Sequence, residues 1–249
     1  MLIAIISDIH EDAENLVKAL NHIDKVGAES IVCLGDIVGY TKKYFESDHS
    51  RNASVCVEMI QEQSNVCVAG NHDMAAIKRF PENIQEMGLP DCWFDLSEEK
   101  QFELCSGGLW TYDDSDHDLE KEHKDFLRNL NEFDLLRDED RTYIFSHYPC
   151  PDLTGFRSRF ISFAEELQDH FDFMQNHDSM LSFSGHRHVE GCLFISGESM
   201  QEFGFGKYKI ENFPCWVDGP CITSGKRESG FMLFDSDRMI IESIPLKKL

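Results

Sequence analysis

Among the nine cysteines of this 249-residue chain, no two stand at C-x-x-C spacing, and their number is odd. A disulfide framework is not expected in a chain of this size and pattern. Cys33, Cys56, Cys67 and Cys105 lie in apolar or mixed runs and read as small buried hydrophobes. No apolar stretch approaches the ~18–20 residues of a membrane span, so no membrane partner is expected. The opening MLIAIISDIH has no basic n-region, and its apolar run is short for a signal peptide, which makes a reducing cytoplasm the expected location. Basic residues are scarce, 23 Lys and Arg against 46 Asp and Glu, a formal charge of −23. Such a surface repels phosphate backbones and anionic lipid, so duplex nucleic acid is not an expected partner. Much of the acid reads as solvated helix surface, and bound divalent cations would neutralise part of it. Repeats, low-complexity tracts and linkers are also missing. One domain spanning 1–249 is the simplest division, with 41% hydrophobic residues sufficient for a core.

Short apolar runs alternate with helical patterns. LIAIIS (2–7) leads into Asp12 to Lys25, where Leu16, Ala19, Leu20 and Ile23 recur at helical spacing. SIVCLG (30–35) is followed by a helix around Ser54 to Gln63, then by NVCVAG (65–70). The β-α-β-α-β order predicts parallel strands with right-handed crossovers. Residues 73–116 read as irregular and Leu119 to Leu130 as a helix. RTYIFS (141–146) and MLSFSG (180–185) read as strands with a helix near Phe160 to Asn176 between them. After His188, alternating runs with turn residues predict antiparallel hairpins. The fold class is α/β, a pair of mixed sheets flanked by helices.

The residues just beyond each strand carry the chemistry. LIAIIS ends in Asp8-Ile9-His10 and SIVCLG in Asp36; NVCVAG is followed by Asn71-His72-Asp73, RTYIFS by His147, and MLSFSG by His186-Arg187-His188. Ligand sites in open parallel sheets form beyond the carboxyl ends of strands. Five tips therefore deliver Asp8, His10, Asp36, Asn71, His147, His186 and His188 to one edge. Carboxylate, imidazole and one amide oxygen suit two divalent ions such as Mn, Fe, Zn, Co or Ni. The set is too large for one tetrahedral zinc, and one bridging Asp would give each of two ions about four ligands.

The ordered set D-x-H, G-D, G-N-H-D, a lone H and G-H-x-H resembles the calcineurin-like metallophosphoesterase superfamily over about residues 1–190. The resemblance implies a four-layer α/β/β/α sandwich with two metals at the sheet edge. Asp8, His10, Asp36 and His188 would hold one ion, Asp36 would bridge, and Asn71, His147 and His186 would complete the other. His72 would be the proton donor beside the leaving group, and Asp73 would orient it. SDIHEDAENLVKAL and CLGDIVGY are most similar to the bacterial phosphodiesterase and diadenosine-polyphosphatase-related branch. Gly39-Tyr40 stands where the Ser/Thr phosphatase branch carries an Asp-Arg pair, which argues against a protein phosphatase. TKKYFESD replaces a Gly-Pro-containing stretch of the bacterial branch, so the pocket wall should differ. The implied function is hydrolysis of small-molecule or nucleotide phosphomonoesters or diesters by metal-activated water. The alternatives are a non-catalytic metal-binding scaffold of the same fold and a Ser/Thr-type phosphatase.

Outside the motifs, Arg187 sits between two candidate ligands and could touch substrate phosphate. Tyr40 and Tyr148 flank the site and could stack on a substrate or pack in the core. Arg157, Arg159, Lys226 and Arg227 are basic exceptions that could reach it. His22, His49, His117, His123, His170 and His177 read as surface residues. Phe156, Phe160, Phe163, Phe171 and Phe173 read as core, and Asp113 to Asp118 as a solvated loop.

Overall fold

The computed structural model describes residues 1–40, 51–112 and 119–249. The expectations for TKKYFESD (41–48), His49, His117 and Asp113 to Asp118 lie outside them. The described strands are β1 (Leu2–Ile6), β2 (Ser30–Cys33), β3 (Val66–Cys67), β4 (Phe133–Asp138), β5 (Arg141–Ser146), β6 (Ser179–Ser184), β7 (Cys192–Ser196), β8 (Ser199–Phe203), β9 (Gly206–Lys209), β10 (Cys215–Asp218), β11 (Gly230–Asp235) and β12 (Ile240–Pro245). The helices are α1 (Ala13–Val26), α2 (Ala53–Gln63), α3 (Asn71–Ala76), α4 (Glu82–Gln85), α5 (Glu98–Cys105), α6 (Lys121–Arg128) and α7 (Gln168–Asn176).

Two six-stranded sheets result, ordered β3-β2-β1-β11-β12-β9 and β4-β5-β6-β10-β7-β8. Strand alternation sorts β1 between two cores. Ile3 and Ile5 enter the space between the sheets with Val32, Phe145, Phe183 and Phe234. Ala4 and Ile6 face Leu16, Ala19 and Ile23 of α1 and Cys56, Val57 and Ile60 of α2. On the outer face of the second sheet, Leu193, Ile195 and Trp216 meet Leu167. The layers run α/β/β/α. Asp12 caps α1 by accepting from Asn15 N at 3.1 Å, and Gly27 ends it at φ 69°. No helix among the described residues is long and apolar enough to cross a membrane.

Several expectations need correction. The stretch 65–70 keeps only Val66–Cys67 as a strand, because Ala69 N turns to the Asn131 carbonyl at 2.9 Å and aims the chain at the site. Of the stretch 73–116 expected to be irregular, the described part, 73–112, carries the end of α3 and all of α4 and α5. The two halves are also less sharply divided than expected. In the first, β4 pairs antiparallel with β5; after His188, β10 runs parallel to β6. His170 and His123 are buried rather than on the surface. Nδ1 of His170 accepts from Cys150 N at 3.0 Å and its Nε2 donates to Ser182 Oγ at 2.7 Å, so both ring nitrogens are satisfied inside. Nδ1 of His123 accepts from Glu120 N at the start of α6. Phe160 and Phe163 are exposed, not core, and helix α7 starts only at Gln168.

Candidate metal centre

The first sheet brings Asp8, His10, Asp36 and Asn71 to its edge, and the second brings His147, His186 and His188 to meet them. Nε2 of His188 lies 3.1 Å from Asp8 Oδ1 and 3.2 Å from His10 Nε2. Nε2 of His147 lies 3.2 Å from Asp36 Oδ2 and 3.2 Å from His186 Nδ1. His10 links the halves, 3.8 Å from Asp36 Oδ2. Asp8-His10-His188 and Asp36-His147-His186 each form a compact donor group, and so does His10-Asp36-His72.

The donor chemistry fits divalent cations. The Leu34 carbonyl accepts from His147 Nδ1 at 2.8 Å, and the Gly39 carbonyl accepts from His10 Nδ1 at 3.2 Å. A carbonyl holds a proton on Nδ1, so Nε2 is the atom each ring turns to the cluster and, in the neutral ring, the one free to bind a cation. The Nε2 atoms of His10 and His188 face each other at 3.2 Å, a spacing that a cation between them would satisfy. Asn71 Oδ1 and His186 Nε2 are buried with no hydrogen-bond partner among the described residues.

Backbone strain marks the same positions. Asp8 (φ 54°), His10 (44°), Asp36 (53°), His186 (70°) and His188 (51°) all occupy the left-handed region that side chains avoid. Glycines in the motifs supply clearance. A Cβ on Gly70 would stand 2.1 Å from Asp36 Oδ1, and one on Gly185 would stand 1.9 Å from Ser7 Oγ and 2.5 Å from Asp8 Oδ2.

Electrostatics follow from burial and crowding. Burial opposes ionisation of Asp8, yet His188 and His147 hold its carboxyl well below the usual range. Burial likewise opposes Asp36, and His147 with His72 outweighs it in the same direction. Burial drives His10 and His186 down to about 3. For His147 burial is outweighed by Asp36 and Asp8, which raise it to about 10. The two carboxylates thus demand positive charge from their surroundings.

The Asp73 carboxylate, expected to orient His72, is held by backbone donors. Its Oδ2 accepts from Asp36 N at 2.8 Å and Gly70 N at 3.0 Å, and its Oδ1 from Ile37 N at 2.9 Å and Val38 N at 3.2 Å. Four backbone donors occupy it, so it pins the Asp36 loop to the start of α3. His72 packs edge-on against His10, ring centroids 4.9 Å apart, and against Tyr112 at 5.2 Å.

A cavity of about 280 Å³ opens over the cluster, with His10, Asp36, Asn71, His72, His186 and His188 in its lining. Arg187 reaches it, and its Nε lies 3.7 Å from the buried Asp218 Oδ2. Lys226 and Arg227 line it; Arg157 and Arg159 do not. Tyr40 does not line it either, because its ring lies against the Arg51 guanidinium at 4.6 Å. Tyr148 packs behind His186 and contributes no wall; its hydroxyl accepts from Ile161 N.

Sequence reasoning missed four contributors. Arg51 donates to the His10 carbonyl at 2.6 Å and to Thr223 Oγ1 at 2.7 Å, tying the β1 tip to the 223 segment. Nothing near Arg51 in the sequence signals this. Trp110 and Tyr112 also line the cavity, and two aromatic residues in a polar stretch were the available sign. Phe160 is the third cavity aromatic, although its place beside a helix read as core.

A two-sheet sandwich with carboxylates and imidazoles at the strand tips defines a metallophosphoesterase architecture. The chain belongs to the calcineurin-like phosphoesterase family, whose model matches residues 1–190. Among solved structures, a metallophosphoesterase from Sphaerobacter thermophilus superposes with a TM-score of 0.64 at 22% identity, over 98% of this chain and 88% of that one. Hypothetical protein PH1004 from Pyrococcus horikoshii OT3 gives 0.58 at 15% identity, over 98% and 87%. Uncharacterized protein MJ0912 of Methanocaldococcus jannaschii is 42% identical over 76 residues, 30% of this chain and 28% of that protein.

Proposed function

We propose that this chain hydrolyses phosphate esters of small molecules, nucleotides among them, at a site loaded with two divalent cations. The observation that carries the reading is the convergence of seven donor side chains beneath one open cavity, with His72 on its wall. Asp8, His10 and His188 would hold one ion, Asn71, His147 and His186 the other, and Asp36 would serve both. When bound, the ions supply neutralisation of ester oxygens and a water acidified toward pKa ~7. The two carboxylates do not cancel two divalent charges, so the loaded site attracts an anionic ester. His10 and His147, each held by a carbonyl at Nδ1, keep the donor set rigid. His72 faces the cavity where a departing alkoxide needs a proton, and an imidazole can give one. Positioning and charge stabilisation are most of what phosphoryl transfer requires of a protein.

The test is hydrolysis of bis-p-nitrophenyl phosphate and p-nitrophenyl phosphate with added Mn. Turnover of at least one is expected, and their ratio separates diesterase from monoesterase. No turnover of either with metal bound would overturn the reading in favour of a metal-binding scaffold.

A further inference from the structure

The aromatic side of the cavity is built, not incidental. Residues 107–112 and 156–160 are far apart in sequence and lie side by side. Leu109 bridges Arg157 antiparallel, Trp110 N donates to the Phe156 carbonyl at 3.2 Å, and Ser158 N donates to the Gly108 carbonyl at 3.2 Å. The pairing brings Trp110 and Phe160 together, ring centroids 5.8 Å apart and tilted by 51°. Phe160 in turn lies against the His186 ring at 5.3 Å. Both rings line the cavity directly beside the donor cluster. Phe160 is nevertheless 42% exposed. Among the described residues, a large aromatic ring is thus left partly open at the mouth of a polar site, and apolar walls beside a few convergent polar groups are where ligands seat.

We infer that Trp110 and Phe160 form a stacking face for a flat aromatic group on the ester, so that the preferred substrates are phosphoesters carrying a nucleobase. The inference rests on the phosphoesterase reading for its catalytic arm. A base offers a π-face to an aromatic side chain whatever its hydrogen-bonding edge, so the face selects flat groups without selecting sequence. With the rings tilted by 51°, a planar group can stack on the face of one while meeting the edge of the other. Thr223, Lys226 and Arg227 contribute polar and basic lining to the same cavity, so a ligand with a flat apolar part and an anionic part matches it.

Two measurements test this. The first compares kcat/KM for thymidine 5′-p-nitrophenyl phosphate and methyl p-nitrophenyl phosphate, which share a leaving group and differ in the flat ring. A preference of about 5- to 100-fold for the thymidine ester is expected, the range one stacked base supplies. It should collapse toward one in Phe160→Ala and in Trp110→Leu. The ratio within each variant is independent of how much active protein survives. A wild-type ratio near one, or a preference that both variants keep, overturns the inference while leaving hydrolysis intact.

The second measurement needs no turnover. Trp93 and Trp216 are fully buried, and Trp110 is the tryptophan that lines the cavity. Thymidine 5′-monophosphate added to the zinc-loaded protein should quench tryptophan emission, and methyl phosphate should not. The quench should vanish in Trp110→Leu. Quenching without hydrolysis of either ester would keep the stacking face and overturn the phosphoesterase reading; hydrolysis with no quench would do the reverse.

Discussion

At His72 two roles compete, since its ring lies both on the cavity wall and within reach of His10 and Asp36. As the leaving-group acid it gives a definite outcome. His72→Asn should retain metal content and lose turnover by roughly 10²–10⁴ on alkyl esters, with a smaller loss for p-nitrophenolate. Metal analysis alongside the two rates checks it, and an emptied site would reassign His72 as a ligand. Asp36→Asn should behave differently, because the carboxylate proposed to serve both ions loses its charge. Metal content and activity should fall together. His170 yields a pH prediction outside the site. Burial lowers it from the ordinary 6.5 to about 3. Between those values the unfolded chain takes up a proton that the folded one refuses, so stability falls as pH drops below about 6.5. His170→Gln removes that term. Its stability deficit in urea unfolding should narrow by about 1–2 kcal/mol between pH 7 and pH 5. The motif residues were legible because each strand tip places a chemically distinctive residue after an apolar run. Arg51 and Phe160 were not, since their roles come from contacts distant in sequence. The histidines misjudged as surface, His123 and His170, sit in polar sequence whose neighbours point outward while they point in.

Elements built on clean alternation or helical spacing were readable, α1 and β5 among them. β4 was not, because Asp134, Arg137 and Asp138 interrupt its apolar pattern at the edge of a sheet. β10 is central and fully buried, but four residues, Cys215–Asp218, are too few to show a period. The element ends are where the site is most exacting. Gly185 closes β6 against the β1 tip, and any Cβ there strikes Ser7 and Asp8. Gly185→Ala should leave the far-ultraviolet circular dichroism unchanged and lower hydrolysis at least ~10-fold, since small displacements of positioning groups carry large rate costs. Full activity in that variant would mean that Asp8 does not need its observed place. The left-handed candidate ligand positions give an inverted stability order. At an ordinary site Gly is less stable than Ala by about 0.5–1 kcal/mol. At His188, metal-free His188→Gly should instead exceed His188→Ala by about 1 kcal/mol, because Ala bears the left-handed cost and Gly does not. Denaturant midpoints of the two proteins decide it.

Across the whole molecule, a charge of −23 weighs against tight binding of a duplex. Filter binding to duplex DNA should show no tight, salt-sensitive association. The site draws on both sheets, so cations bound only by the folded protein should stabilise it in proportion to RT ln(1 + [L]/Kd), about 2.7 kcal/mol at a hundredfold excess over Kd. Removing metal with a chelator should therefore lower Tm, and adding Mn or Zn should restore it. The contact between Asp8 and His188 spans 180 positions of the chain. An ion gripped by both would turn most of the polypeptide into a ring, as a clip does when it fastens the two ends of a strap. Losing the ion then loosens the closure of the entire loop and not merely a few side chains, which is why the drop in Tm should appear as one shifted transition rather than as a separate melting of the site.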